Sequence, residues 1–486
     1  MRPETSPIAL STIAAGFKFS TNNSEVFVSG ITHNSREVLP GDIYVALAGA
    51  NHHGIDFAKQ AIESGAVAIA TDSHGLKKLP GDVATIELLE PRIDMAVLAA
   101  RVYQNPQDKL KIVGVTGTNG KTSVTHILQS LFTNFGYKVG VIGTVGTYID
   151  GKHIPGARTT PESTDLYSIL GQMVQAGVTH VFMEVSSHAL ELHRVSGLKF
   201  EKAVFTNLSQ DHLDFHGTME NYFAAKAKLF TSDFANSAVI CIEDTWGQKL
   251  ASQTSIPVTT VGLNGDWEVT NLRLSVAKTS FGLRKNDVVM NCELPMIGAF
   301  NATNAAIAIA VSTDLGLDPQ LVTRDLINVH PVPGRSQIVT HNSQGTAIVD
   351  YAHTPEAVEK VLSTLREVCD GQLITVIGCG GDRDALKRPL MGKIAAQISD
   401  VVIITDDNPR SEDPAKIRAQ VKAGINLDEV KVFEIGDRRE AINKALSIAS
   451  NNDVVAVLGK GHEQGQEIAG QIHPFDDVKV IQAEAN

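Results

Sequence analysis

Long apolar runs are missing from this chain of 486 residues: no stretch approaches the ~20 apolar residues that a membrane-spanning helix needs. The segment from Met1 to Ser20 also lacks a basic stretch followed by an apolar core, so neither membrane insertion nor export is expected, and a cytoplasmic protein is. Cysteine is scarce. Cys241, Cys292, Cys369 and Cys379 show no Cys-x-x-Cys spacing and are too sparse for a disulfide scaffold, so they read as buried thiols in a reducing compartment. Excess positive charge is absent too. A formal net charge of −12 excludes nucleic acid and anionic membrane as general partners, and an anionic substrate then requires locally placed basic groups. Repeats and low-complexity tracts are lacking, while 43 % hydrophobic and 20 % charged residues fit ordinary folded domains.

What is present reads as an α/β protein of three domains, because the length exceeds what one core fills at roughly 100–200 residues per domain. Residues 1–105 form a small α/β unit, with strands at Asp42–Leu47 and Ala66–Ala70 and a helix near Phe57–Ser64 closed by Gly65. A break at Gln104-Asn-Pro106 opens a second domain, 106–334, that starts with a parallel βαβ pattern. In its helix Val124, Ile127, Leu128, Leu131, Phe132 and Phe135 recur at helical spacing ahead of Gly136. Proline and glycine at His330-Pro-Val-Pro-Gly334 mark the boundary to a third domain, 335–486. There the apolar runs Leu373–Ile377, Val401–Ile404 and Val454–Leu458 each end in a polar, glycine-containing segment. Strands of an open parallel sheet bind ligands at their carboxyl ends, so these three segments are expected to converge.

The turn Gly114-Val-Thr-Gly117-Thr118-Asn119-Gly120-Lys121-Thr122 stands between a strand and an amphipathic helix, the setting of a phosphate-cradling loop. Lys121 would reach the β- and γ-phosphates and the Thr122 hydroxyl would meet Mg²⁺. Val115 occupies the place where the usual loop has its first glycine. Glu184, at the end of the strand His180–Met183, suits a hard cation beside phosphate. Farther on, Lys226 lies on the apolar face formed by Met219, Tyr222, Phe223, Leu229 and Phe230. A lysine buried there without a partner would become a neutral amine able to capture carbon dioxide as a carbamate; a lysine on such a face can also extend to solvent.

Together, Gly117-Thr-Asn-Gly-Lys-Thr122, Glu184-Val-Ser-Ser-His188, Asp211-His212-Leu-Asp214 and Ala225-Lys226 resemble the Mur ligase family, with similarity from Ser35-Arg36 to Gly459-Lys-Gly-His-Glu463. The family's phosphate loop begins at the position of Gly117, which removes the misfit at Val115. The resemblance implies a uridine-binding N-terminal domain, a central P-loop-type ATPase domain and a Rossmann-like C-terminal domain that binds an amino acid. It implies ATP contacts at Gly117 to Ser123, Asn301, Asn304, Arg335 and His353. Lys226 would be carbamylated by CO₂, and Thr122, Glu184, His212 and that carbamate would hold two Mg²⁺ ions. Lys121, Glu184, His212 and Lys226 would form the catalytic group. Contacts to a UDP-linked muramoyl dipeptide are implied at Ser35, Ala50, Asn51, His52, Arg158, Thr159, Thr160, Ser186, Leu192 and Arg194. Two departures are Gln337, where relatives often have glutamate, and Leu192, where a polar residue is common.

The third-domain segments hold Arg383, Asp407-Asn408-Pro409-Arg410 and Gly459-Lys-Gly-His-Glu463. Two arginines and several acids suit a ligand with carboxylates and ammonium groups at both ends, as in meso-2,6-diaminopimelate. L-Lysine lacks the distal carboxylate and would place its ammonium against an arginine. The resemblance points the same way for Asp407 to Arg410 and adds Gly459 and Glu463 to the amino-acid site. The expected activity is therefore ATP-dependent addition of meso-2,6-diaminopimelate to UDP-MurNAc-L-Ala-D-Glu by a monomer. A lysine-adding ligase, a folylpolyglutamate synthetase and a non-catalytic sensor of UDP-peptides are the rival readings.

Overall fold

Runs such as Val454–Leu458 and Val401–Ile404 are buried along their whole length, so they have no polar face and need helices on both sides. In the computed structural model residues 2–21, 25–49, 52–156, 158–342 and 345–484 are described, and counts of strands refer to them. Ala50 and Asn51 lie outside the described residues. The chain separates into two compact units, Met1–Gly265 and Asp266–Asn486.

The first unit holds two main sheets. In the N-terminal one, β1 (Lys18–Ser20), β2 (Gly30–Thr32), β3 (Asp42–Ala46), β4 (Ala68–Thr71) and β5 (Ala84–Glu87) run in the order β1-β5-β4-β3-β2, parallel except for β1. β4 starts two residues later than expected, because Ala66 N–H still donates to Ala61 O of the preceding helix while Gly65 turns the chain at φ +102°. Helix α1 (Pro91–Val102) follows.

The central sheet comprises β6 (Lys111–Thr116), β7 (Val139–Gly143), β8 (Gly146–Ile149), β9 (Lys152–Ile154), β10 (His180–Glu184), β11 (Lys202–Phe205), β12 (Ala238–Cys241) and β13 (Val258–Val261). Their order is β9-β8-β7-β10-β6-β11-β12-β13, with only the β7-β8-β9 meander antiparallel. The carboxyl ends of β10, β6 and β11 therefore lie side by side, which is where a ligand site belongs. Helices α2 (Lys121–Asn134), α3 (Ser163–Gln175), α4 (Ser187–Glu191) and α5 (Met219–Ala227) accompany them. Val124, Ile127, Leu128, Leu131 and Phe132 of α2 are buried as their spacing requires, and Gly136 adopts φ +84° after the helix. Leu98 and Val102 of α1 share one core with Leu166 and Leu170 of α3, so the two sheets of this unit are packed together through these helices.

The second unit begins with an antiparallel meander of β14 (Trp267–Leu274), β15 (Thr279–Lys285) and β16 (Val288–Leu294), covered by α6 (Ala299–Asp314). Its larger sheet contains β17 (Gln337–Asn342), β18 (Gly345–Asp350), β19 (Leu373–Ile377), β20 (Val401–Ile404), β21 (Lys431–Glu434) and β22 (Val454–Leu458), ordered β17-β18-β22-β19-β20-β21. All but β17 are parallel, with α7 (Pro355–Val368), α8 (Lys387–Ile398), α9 (Arg438–Ile448) and α10 (Asp477–Glu484) among the helices of this unit. β19, β20 and β22 coincide with the three apolar runs read from the sequence. Arg438 at the start of α9 is fully enclosed: its Nε and Nη2 bind the Asp477 carboxylate at 2.8 and 2.7 Å, and Nη2 also donates to Leu458 O at 3.0 Å. This bidentate pair fastens α10 to the end of β22. All four cysteines are buried and unpaired, and burial pushes the Cys292 and Cys379 thiols up to about 12.

Candidate active site

The turn after β6 is shaped by two glycines in the left-handed region, Gly117 at φ +145° and Gly120 at φ +87°. A Cβ on Gly117 would collide with Thr206 Oγ1, so the loop can lie this close to the end of β11 only without a side chain there. Lys121 Nζ folds back onto Gly117 O (2.9 Å) and Thr118 O (2.8 Å). Asn119 is clamped: its N–H donates to Asn207 Oδ1 at 3.0 Å, and its carbonyl accepts from Thr206 Oγ1 at 2.6 Å. Ser123 follows in the first turn of α2, whose free N–H groups and dipole favour an anion. Thr206 is absent from the motifs read in the sequence, whereas Asn207 opens the segment that runs on to Asp211 and His212; the position of Thr206 at the end of the strand beside the loop is the signal that would have found it.

Glu184 is pinned by three donors. Its Oε1 accepts from Thr122 Oγ1 and Thr144 N–H, both at 2.9 Å, and its Oε2 from Thr144 Oγ1 at 3.0 Å. Thr144 follows Gly143 at the end of β7, and a Cβ on Gly143 would strike Glu184 Oε1. Nothing in the local sequence marks Thr144; the neighbouring strand delivers it.

Lys226 is 2 % exposed on the buried face of α5. Its Nζ donates to Gly117 O at 2.9 Å and stands 4.5 Å from the centre of the Tyr222 ring, while Asp211 acts on it through space. Gly117 O thus receives both Lys121 and Lys226. Burial, reinforced by the charge of Lys121, lowers the Lys226 pKa well below the ordinary lysine value. The helix ends at Ala227 and tightens into a 3-10 turn, Lys228–Phe230, which keeps Leu229 and Phe230 buried although the regular helical stripe has stopped. His212 holds φ +53°, a conformation that non-glycine residues adopt at a cost, and its ring lies 4.8 Å from that of His188 and 6.2 Å from that of Tyr222. Burial holds the His188 and His216 rings below their ordinary pKa, and His216 Nε2 lies 2.9 Å from Ser187 Oγ.

A second cluster adjoins this one. Thr159 Oγ1 lies 3.1 Å from Thr144 Oγ1, and Thr160 Oγ1 donates to Glu184 O (2.9 Å) while accepting from Ser186 N–H (3.1 Å). Arg194 Nη1 donates to Thr160 O at 3.3 Å, and Glu162 binds Arg92, Arg158 and Arg194. Leu192 caps α4 through its backbone. In the N-terminal sheet's part of the unit, Ser35 faces Gln60 at 3.5 Å and the His52 ring meets Phe57. Sequence reading did not single out Glu162, because its three partners are scattered from residue 92 to residue 194.

In the second unit the ends of β22, β19 and β20 converge as expected. Lys460 is completely buried and binds Asn408 Oδ1 (3.1 Å) and Glu463 Oε2 (3.2 Å), with Asp407 Oδ1 at 3.9 Å; Asn408 Nδ2 also donates to Glu463 Oε2 at 2.8 Å. Asp407 is enclosed, and burial raises its pKa against the pull of Arg438 and Lys460. Arg410 follows Pro409 with φ +51°, donates from Nη1 to Gly381 O (2.7 Å) and pairs through Nε with Glu467 (3.2 Å). Arg383 is exposed near Gly380, and Gly459 sits where a Cβ would meet Asp407 Oδ2.

Elsewhere in this unit Asn301 Nδ2 donates to Ile297 O at 2.8 Å, and Asn304 Nδ2 to Asn301 Oδ1 at 3.3 Å, both buried in α6. Arg335 stacks 4.8 Å over Tyr351, whose carbonyl accepts from His353 Nδ1 at 2.8 Å. Gln337 Oε1 accepts from Gly334 N–H at 2.8 Å, a use for which an amide serves as well as a carboxylate.

Residues 27–111 match the Mur ligase family catalytic domain, 115–312 the Mur ligase middle domain, and 334–461 the Mur ligase glutamate ligase domain. A Corynebacterium glutamicum protein named UDP-N-acetylmuramoyl-L-alanyl-D-glutamate–2,6-diaminopimelate ligase is 44 % identical over 91 % of this chain and 88 % of its own. Its namesake from Aquifex aeolicus is 41 % identical over 93 % of both chains. A solved structure of a ligase with the same name superposes with a TM-score of 0.73 at 33 % identity, over 99 % of this chain and 100 % of its own. Mycobacterium tuberculosis folylpolyglutamate synthase in complex with ADP shares the fold at 19 % identity, with a TM-score of 0.63 over 81 % of this chain and 95 % of its own.

Proposed function

The chain belongs to the Mur ligase family, and from that premise we propose that it joins meso-2,6-diaminopimelate to the D-glutamyl carboxylate of UDP-MurNAc-L-Ala-D-Glu during peptidoglycan precursor synthesis. It is an ATP-dependent ligase that forms an amide bond. ATP phosphorylates the carboxylate to an acyl phosphate, the amine of diaminopimelate attacks that carbonyl, and ADP and phosphate leave. Lys121 and the first turn of α2 would neutralise and orient the phosphates, and positioning dominates the rate.

The observation that carries this reading is Lys226: a buried amine, its pKa pushed down, placed with Lys121 at one carbonyl of the phosphate loop. Its neutral nitrogen can bond to the carbon of CO₂ and release a proton, which replaces a disfavoured cation by an oxygen anion. Thr122 and Glu184, whose side-chain oxygens lie 2.9 Å apart, would hold a hydrated Mg²⁺ beside phosphates, and the carbamate with His212 would hold a second. Bound there, the ions would supply charge neutralisation between ATP and the acceptor carboxylate. In the second unit, Arg383 and Arg410 suit the carboxylates of diaminopimelate, and Asp407, Asn408 and Glu463 an ammonium. Thr159, Thr160, Ser186 and Arg194 are assigned to the muramoyl peptide, Ser35 and His52 to the uridine, and Asn301, Asn304, Arg335 and His353 to ATP. Domains of 1–105, 106–334 and 335–486 would each bring one substrate.

Among the described residues no helix is long and apolar enough to cross a membrane. Small-molecule substrates and four buried thiols support a cytoplasmic enzyme, which we take to act as a monomer. The deciding assay is phosphate release from ATP with Mg²⁺ and UDP-MurNAc-L-Ala-D-Glu, comparing meso-diaminopimelate with L-lysine. Release with diaminopimelate alone is expected. Release with lysine would overturn the specificity, and none with either would leave a nucleotide-binding module.

A further inference from the structure

Glu162 gathers more positive charge than it can neutralise. Its Oε1 accepts from Arg158 Nη1 and Arg194 Nε, and its Oε2 from Arg92 Nη1, each at 2.9 Å. Three guanidiniums bond one carboxylate directly in this cluster, and Asp165, whose pKa is raised by burial and in part by Glu162, is a further acid nearby. The side chains of Glu162 and Arg194 are 7 % and 10 % exposed, whereas Arg92 and Arg158 keep 34 % and 54 %, so the surplus is open to solvent on one side only. Burial, with Arg158 and Arg92 adding to it against the pull of Glu162, holds the Arg194 guanidinium below its ordinary pKa. Such crowding is relieved when an anion with several oxygens arrives.

The cluster is also a junction. Arg92 belongs to the first turn of α1, Arg158 to the segment after the β7-β8-β9 meander, and Arg194 to the turn after α4. Arg92 Nη1 lies 3.5 Å from Leu192 O, and Arg194 Nη1 reaches Thr160 O, whose hydroxyl touches Glu184 O and Ser186 N–H. Glu162 thus fastens α1 to the segments next to the phosphate loop. We propose that Glu162 is a positioning residue that fans Arg92, Arg158 and Arg194 into a receptor for the diphosphate of the UDP-linked substrate, with Arg92 a direct ligand of that diphosphate. This rests on the function proposed above. A diphosphate diester matches the surplus in sign, and guanidinium forks match its paired oxygens.

The test measures phosphate release against each substrate for Arg92→Met, Arg92→Lys and Glu162→Gln, with thermal melts as a fold control. For Arg92→Met and Glu162→Gln the KM for UDP-MurNAc-L-Ala-D-Glu rises about 10- to 100-fold, while kcat and the KM values for ATP and diaminopimelate stay within about two-fold. Arg92→Lys recovers part of the loss. Glu162→Gln removes a negative charge, so a carboxylate that only neutralised would give tighter substrate binding, and that result would overturn its positioning role. An unchanged KM in Arg92→Met overturns the ligand role; should Glu162→Gln fail to fold, the Arg92 pair decides. Competition by UDP separates the source of the anion. Weakened UDP binding in Arg92→Met supports a diphosphate contact, and weakening confined to the full substrate assigns the contact to a peptide carboxylate and overturns the proposal. Wild-type enzyme that releases no phosphate with this substrate sinks the functional reading itself, whereas changes confined to the variants concern this inference alone.

Discussion

Lys226 in the first unit and Lys460 in the second are withdrawn from water to nearly the same degree, yet their neighbours differ in kind. Around Lys226 there are a backbone carbonyl, an aromatic face and a second lysine; around Lys460 there are an amide oxygen and the carboxylates of Glu463 and Asp407. Both are buried, but Lys460 bonds a carboxylate directly, whereas Asp211 acts on Lys226 only through space and burial outweighs it. The first arrangement suits a nitrogen that reacts. The second suits a fixed post that holds two acidic residues and an amide in register for an incoming amino acid.

The sharpest way to break this contrast is Lys226→Ala. Turnover is expected to fall at least about 10³-fold, as for loss of a group that stabilises transition-state charge. Melting temperature stays near the wild-type value, because the lost amine was poorly solvated. Short carboxylic acids added to this variant should return part of the activity, and full activity without them would remove Lys226 from the chemistry. Lys460→Met should do the reverse and cost about 3–5 kcal/mol of stability by stranding the buried Asp407 carboxylate and the amide of Asn408. Chemical denaturation measures this, and a loss near zero would erase the distinction between the two lysines. Arg410→Ala sharpens the description of the second site: the KM for diaminopimelate rises about 10- to 100-fold while ATP binding persists. An unaltered KM would take Arg410 out of the clamp. The smallest effect is on pH. Asp407 has its pKa raised above 3.8 by burial, so its carboxylate is present above that raised value and is lost as pH falls through it. The KM for diaminopimelate should therefore begin to climb at a higher pH than an ordinary aspartate would give; a flat profile down to pH 4 would show that Asp407 does not pair with the ligand.

Elements with local causes were legible in the sequence. β19, β20 and β22 follow from uninterrupted apolar runs, and α2 from a helical stripe closed by glycine. Lys226 stood out because one polar residue interrupts an apolar face, although periodicity could not tell a buried amine from one that extends to solvent. The partners that fix the site were not legible. Thr144 is delivered by a neighbouring strand, and Glu162 joins arginines from three separate segments; no spacing rule links such residues. The left-handed backbone at Arg410 was equally hidden, because arginine does not favour that conformation.

The Arg438–Asp477 pair has a practical consequence for anyone trimming or tagging this protein. A chain cut before Asp477 would lose the counter-ion of a guanidinium that no solvent reaches, and with it the brace behind Leu458, one residue before the loop that begins at Gly459. The C-terminal helix is thus part of the amino-acid site's foundation.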